Sequence, residues 1–331
     1  MMTFPISKTL ALGLTASALI FTACGKQSEE AATPAGVTIP DAPDAAIQTV
    51  ITEFAQGNGG ILWQAMPGSY QSDVTTLAQL AGSKIDPELY DKSFAVIARL
   101  AEVVEKQQAF ILGSSFMEDR SVEELAQLEA ALPSVIGIVN TIATSELAST
   151  TGLLAFDGQA FFDTTVSKCA EYSEALTQLA GEEFALSDYA NTVVSIVEVD
   201  DLQAILLTTV PGQEPQEQVF TKVEQRWVPA EMASEWAAEI AEATANLEAT
   251  SVDEMAAQKP QIMGILTMVD GVLSQIAAAE TQEQFDQSLK GAMMPLMGLM
   301  MMGQGMGGMG APAAPMPAAP VVAPSSIPAV Q

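Results

Sequence analysis

Histidine is absent from all 331 residues. Without an imidazole there is no Ser-His-Asp or Cys-His hydrolase, no His-based acid–base catalysis, and no route to most zinc or non-haem iron sites. Carboxylate chemistry and Ser/Lys chemistry survive that exclusion. Positive charge is also scarce, with 12 Lys and Arg against 41 Asp and Glu and a net charge of −29. A field of that sign repels phosphate backbones and anionic lipid headgroups, so nucleic acid is excluded as a partner. Only two cysteines occur, Cys24 and Cys169. Aromatic residues make up 6% of the chain, with three tryptophans. The first apolar run, Leu10 to Phe21, falls short of the ~20 residues that a bilayer span requires.

What is present begins with an address. One cation, Lys8, precedes the apolar run, and Thr22-Ala23-Cys24 follows it. A charged start, a short apolar core and small residues before a cleavage point describe a secretory signal. Cys24 directly after Thr22-Ala23 resembles the lipobox of bacterial lipoproteins, with Phe21 where Leu is usual. The resemblance implies cleavage before Cys24 and acyl chains of the palmitate type on that residue, which then anchors the chain to a membrane. Residues 1–23 are thus expected to be a signal peptide and 24–44 a lipidated tether of Lys, Gln, Ser, Glu, Ala, Thr and Pro with nothing to bury. Loss of Lys8 with the signal lowers the net charge by one, from −29 to −30. Gly25 is not the Asp that retains lipoproteins in the inner membrane of enteric-type bacteria. The expected place is therefore the outer membrane, facing the periplasm or the exterior. With Cys24 acylated, Cys169 has no intramolecular partner, and stability has to come from burial alone.

Apolar spacing divides the rest. Ile47, Val50, Ile51 and Phe54 follow helical spacing, with Asp44 as the expected cap and Gly57-Asn58-Gly59-Gly60 as the stop. A second helix is predicted over about 71–81, and a third from Asp86-Pro87-Glu88 to about Leu112. Ser121-Val122-Glu123-Glu124 is a capping box, Pro133 is expected to interrupt its helix, and a fresh helix is expected from Val135 to about Leu147. Asp157 opens the next, on which Phe162, Val166, Cys169, Ser173 and Leu176 draw one stripe. Between 192 and 228 the period shortens, and Val- and Ile-rich stretches separated by Asp200-Asp201, Pro211–Pro215 and a reversal near Gln225 predict three or four antiparallel strands. Helices resume after Pro229, with a second capping box at Ser251-Val252-Asp253-Glu254, an apolar helix from Ile262 to Ile276 and a short one from Thr281 to Lys290. Ser121…Pro133 and Ser251…Pro260 echo each other, which reads as shared capping chemistry plus chance or, alternatively, as an old duplication. The fold class predicted is α+β, mostly helical, with helices packed on a small antiparallel meander at about 192–228. The alternative is a helical bundle with an inserted hairpin. One domain is expected over 45–290, followed by a Met-, Gly-, Ala- and Pro-rich tail over 291–331.

Few residues stand out as chemistry. Met294, Met297 and Met300 repeat at three-residue spacing, and thioethers suit Cu(I), but Pro295 and Gly298 disfavour a rigid site and an adaptable apolar segment is the plainer reading. No cofactor is expected. Cys169 reads as a buried, inert thiol. Thr165-Val166-Ser167-Lys168 has Ser-x-x-Lys spacing with Thr in the nucleophile position, a tetrad common by chance. Acidic pairs such as Glu182-Glu183 and Asp200-Asp201 read as solvated surface. Trp63, Trp227 and Trp236 read as core packing or, alternatively, as the lining of a ligand pocket.

Two segments, Gly57-Asn58-Gly59-Gly60 through Met66 and Val219-Phe220-Thr221-Lys222-Val223 through Trp227-Val228, resemble the cystatin-like or NTF2-like domains of small bacterial lipoproteins. That resemblance implies a cone-shaped sheet, from which the helical stretch over 85–180 and the helices after 230 depart, and leaves function open because the family includes enzymes, binders and scaffolds. The expectation is a non-catalytic envelope lipoprotein that binds an envelope protein partner or supports envelope structure. The alternative is a lipoprotein that holds a small apolar ligand between sheet and helices.

Overall fold

The computed structural model describes residues 37–180, 185–250 and 252–292. In chain order it contains α1 (Pro43–Ala55), α2 (Gly60–Ala65), α3 (Gly68–Lys84), α4 (Pro87–Lys106), α5 (Gln108–Leu112) and α6 (Val122–Ala143). Then come α7 (Thr150–Leu154), α8 (Gly158–Phe161), a π-helical turn at Phe162–Val166, and α9 (Ser167–Ala180). Four strands follow, β1 (Val193–Val199), β2 (Gln203–Thr209), β3 (Gln216–Val223) and β4 (Arg226–Pro229). Helices α10 (Ala230–Ala249), α11 (Val252–Ala277) and α12 (residues 282–292) close the described chain. The chain is thus mostly helical, with a four-stranded antiparallel meander in the order β1-β2-β3-β4 packed against helices.

Local chemistry explains most boundaries. Ser121 Oγ accepts from Glu124 N at 3.1 Å while the Glu124 carboxylate accepts from Ser121 N at 2.7 Å, so both open donors at the start of α6 are satisfied. Asp86 caps α4 by accepting from Leu89 N at 3.0 Å, and Asp157 caps α8 by accepting from Ala160 N at 3.1 Å. Asp44 lies in the first turn of α1, which starts one residue earlier at Pro43, and its side chain caps nothing. Gly57 ends the α1 turn at φ 90°, a conformation that costs glycine nothing.

Three expectations are corrected. Pro133 does not interrupt α6, which runs unbroken from Val122 to Ala143. Proline there removes the bond to the carbonyl of Glu129, and Gln108 Nε2 donates to that oxygen instead at 3.4 Å. The helix predicted to reach Leu112 breaks at Gln107, where φ is −103° and ψ is 15°. Its buried amide turns away to donate to the carbonyls of Ile276 and Ala277 at 3.0 Å and of Ala279 at 3.1 Å. The stripe through Ser173 is displaced too. The π-helical turn adds a residue to the helix, so Thr165 and Ala170 are buried while Ser173 is exposed. The capping box predicted at Ser251 lies outside the described residues, as does the tail beyond residue 292.

Four apolar clusters make the core. The first joins α4, α11 and α12 through Val96, Val103, Leu273, Ile276 and Phe285. The second joins α4 and α6 through Ala101, Leu132 and Ile136. The third sets Trp63 of α2 among Phe156, Phe161 and Phe162. The fourth lies between α1 and the sheet, with Ala46 against Val194, Ala204, Leu206, Phe220 and Trp227. By length and composition α6 would suffice to cross a membrane, with a mean hydropathy of 1.4. Here it packs between α4 and α9. The echo between the two proline-bearing stretches has a spatial counterpart, since α6 and α11, with Pro133 and Pro260 inside, both pack on α4.

Two substitutions test this packing. A Cβ at Gly158 would overlap the six-membered ring of Trp63, which three phenylalanines hold in place. Gly158→Ala is expected to destabilise by about 1–3 kcal/mol in urea unfolding, as overpacked cores do. Gln107→Ala leaves three carbonyls at the end of α11 without its donor, and a loss of about 1–3 kcal/mol is expected.

Candidate binding surface

The sheet has two unlike faces. On one, Val194, Ala204, Leu206, Phe220 and Trp227 point at α1 and are buried. Trp227 Nε1 donates to the carbonyl of Asp41 at 2.8 Å, and the Lys222 ammonium sits 5.3 Å from the centre of its ring. The register places Ser195 beside Leu207 and Glu217 in one cross-strand row, and Glu198 beside Ile205 and Val219 in the next. Those rows lie on the opposite face. On that face Ser195, Glu198, Glu217 and Val219 are exposed, and Ile205 and Leu207 are half-buried.

Strand β1 is the exposed border of this sheet. It pairs with β2 on one side, and among the described residues no strand pairs with its other side. Its composition is apolar, yet Val193 is 61% exposed, Ile196 41%, Val197 52% and Val199 47%. Leu202 in the β1–β2 turn is 65% exposed and Val219 of β3 41%; by register Ile196 and Val199 lie on the α1 side of the sheet, and Val193 and Val219 on the other. Gln48 of α1 occupies the first rung of the open border. Its Nε2 donates to the Thr192 carbonyl at 2.7 Å and its Oε1 accepts from Val194 N at 3.0 Å. Those two bonds imitate what a neighbouring strand would provide. They also show that Val194 N–H points away from β2, and alternation sends Ile196 N–H the same way. Past Ile196 the pairing slips at a β-bulge before Glu198, which twists the border.

Acids surround the patch. Glu198, Asp200, Asp201, Glu214 and Glu217 are all exposed along β1, the β1–β2 turn, the next loop and the start of β3. No Lys or Arg occurs between Lys168 and Lys222. The Asp200 carboxyl is held below its ordinary value of 3.8 by backbone N–H groups of Leu202 and Gln203, which donate to it at 2.8 and 2.7 Å. It stays charged over the whole physiological range.

The three tryptophans named as ligand-pocket candidates occupy three places. Trp63 is enclosed in its phenylalanine cluster. Trp236 of α10 stacks on Tyr70 of α3 with ring centres 4.1 Å apart and planes 9° from parallel, and its Nε1 donates to Asp73 Oδ2 at 2.9 Å. Trp227 faces α1, beside a crevice lined with Ile39, Ala46, Ile47, Val50, Ala65 and Arg226. That crevice opens to solvent and encloses about 10 Å³, room for about one water and far below the roughly 300–1,000 Å³ of small-molecule sites. Phe220 and Trp227 share one core. Among the described residues no group of three or more His, Cys, Asp or Glu is placed to hold a metal ion. Met294, Met297, Met300 and Cys24 lie outside the described residues. Thr165 is buried while Lys168 is exposed.

The open border was not singled out from sequence, although its signal was there. Val193, Val197 and Val199 break the strict alternation of a strand with one buried face. The long interval without a cation spans the same residues. Comparison with protein-family models, curated proteins and solved structures finds no match.

Cys169 is half-buried on α9, and burial pushes its thiol above the ordinary value of 9.0. The thiolate is the reactive form, so labelling by iodoacetamide at pH 8 is expected to be slow in the folded protein and fast in urea. Equal rates in the two states would make the thiol accessible and overturn this placement.

Proposed function

We propose that this chain is a lipid-anchored bacterial envelope protein that acts by binding a protein partner rather than by catalysis. The observation that carries the reading is the open apolar border of the sheet. Exposed, unpaired, apolar strands are a hazard that folded proteins ordinarily cover, bend away or charge. A chain with this excess of acids that still leaves Val193, Ile196, Val197 and Val199 exposed is built to have them covered by something else. The dispersal of Trp63, Trp227 and Trp236 into separate cores supports a surface rather than a ligand cavity as the working part. The lipobox-type segment ending at Cys24 supports the anchor, and Gly25 supports the outer membrane as its destination.

Two measurements in the source bacterium test the reading. Radiolabelled palmitate is expected to enter the wild-type chain and not Cys24→Ala; equal incorporation would refute the anchor. A photo-crosslinking amino acid at position 197 is expected to give one discrete adduct, and the same group at Val122, 85% exposed on α6, to give none. Absence of an adduct from position 197 would refute the binding surface.

A further inference from the structure

Resting on that reading, we infer that the border of β1 receives an extended segment of a basic, apolar partner, added to the sheet as a fifth strand. Three features specify the occupant. The free edge demands backbone amides, because Ile196 N–H and its neighbours beyond the Gln48 rung are strand groups pointing away from β2. Apolar residues of β1 are exposed on both sides of the sheet, Ile196 and Val199 on the α1 side and Val193 on the other, so the alternate side chains of an added strand meet apolar surface on either face. The acids along the rim demand cations between them, since the region from Cys169 to Thr221 supplies none of its own.

Other occupants fit worse. A second copy would bring Glu198, Asp200 and Asp201 against the same residues, between two chains that each carry a net charge of −29. The chain's own segment beyond Lys290 has no Lys or Arg to meet the acidic rim, is interrupted by Gly298, Gly303, Gly305, Gly307, Gly308 and Gly310, and carries Pro295, Pro312, Pro315, Pro317, Pro320, Pro324 and Pro328. Proline cannot donate to a ladder, so that segment makes a poor strand.

The bulge and the Gln48 amide limit the addition. Gln48 already holds the rung at Thr192 and Val194, and the bulge bends the strand before Glu198. The accessible run is therefore short and centred on Ile196 and Val197. Selectivity then has to come largely from charge, which makes affinity sensitive to salt.

The test uses the full chain in a non-ionic detergent and synthetic ten-residue peptides with blocked ends. The Lys-Val alternating peptide is expected to bind, with a dissociation constant that rises with ionic strength. The same peptide N-methylated at alternate amides is expected to bind at least about tenfold more weakly, as is the Glu-Val peptide. Val193→Lys combined with Val197→Lys alters only exposed side chains, so its unfolding midpoint is expected to stay near wild type while Lys-Val binding falls by a similar factor. Equal binding of the N-methylated peptide, or unchanged binding to the double variant, means attraction to the acidic surface alone and overturns the strand addition. Failure of every peptide overturns it as well, and so does a dimer of the chain crosslinked through position 197. A failed peptide experiment beside an intact adduct from position 197 with another protein refutes the basic-strand chemistry alone. Loss of that adduct removes the partner reading with it.

Discussion

The joint between α4 and α11 is where the rest of the helical layer is decided. Cations are scarce in this chain, and three lysines gather there. Lys92 reaches Asp270 at 2.6 Å, Lys259 reaches Asp86 at 3.0 Å and Glu88 at 2.7 Å, and Lys106 donates to the Ala277 carbonyl at 2.7 Å. Each pair is partly solvated and is worth little alone. Together they fix the direction in which α11 runs along α4, while Val96, Val103, Leu273 and Ile276 bury beneath them. Gln107 seals the end of α11 with a neutral amide. Phe285 of α12 then docks on a surface that exists only once the two helices are aligned. Helix α6 uses another side of α4, so this one helix organises two of the four cores.

Sequence reading reached the class of the fold because its strongest signals are local. Ser121, Asp86 and Asp157 announce helix starts through bonds that span three residues, and the Val- and Ile-rich stretches of the meander announce themselves by period. The reversal near Gln225 is of this kind, although its residues are unusual. Glu224 and Gln225 both have positive φ, at 47° and 66°, where Asn-Gly is the favoured pair. A long-range contact offsets that strain. The Glu224 carboxylate accepts from Ser69 N at 3.0 Å, and that bond at the start of α3 holds its pKa below the ordinary value of 4.5. No local pattern reports such a partner. The same limit hid the continuity of α6 through Pro133, where Gln108 meets the freed carbonyl of Glu129, and the break at Gln107, whose amide meets three carbonyls at and just past the end of α11. Exposure of β1 was hidden for a related reason. Apolar residues in a strand promise a partner, and only the arrangement of the whole sheet shows that the described chain provides none on that side.

The acids around β1 have two physical effects. They keep copies of this protein apart, doing for an apolar border what lysines or prolines do in other sheets. They also lower the local potential, which concentrates cationic segments near the patch before any contact forms. An apolar strand inside an acidic frame is thus soluble without being inert.

Helix α1 holds the sheet from a great distance along the chain. Gln48 meets Thr192 and Val194 across 144 and 146 positions, and the Asp41 carbonyl meets Trp227 across 186. A ribosome makes α1 first and its partners much later. Until the meander is complete, Ala46, Ile47 and Ile51 have nothing of the sheet to cover them. Closing that loop is slow compared with forming helices, because its entropy is lost before its contacts form. The nascent chain therefore carries the apolar face of α1 without its sheet until residue 227 has been made.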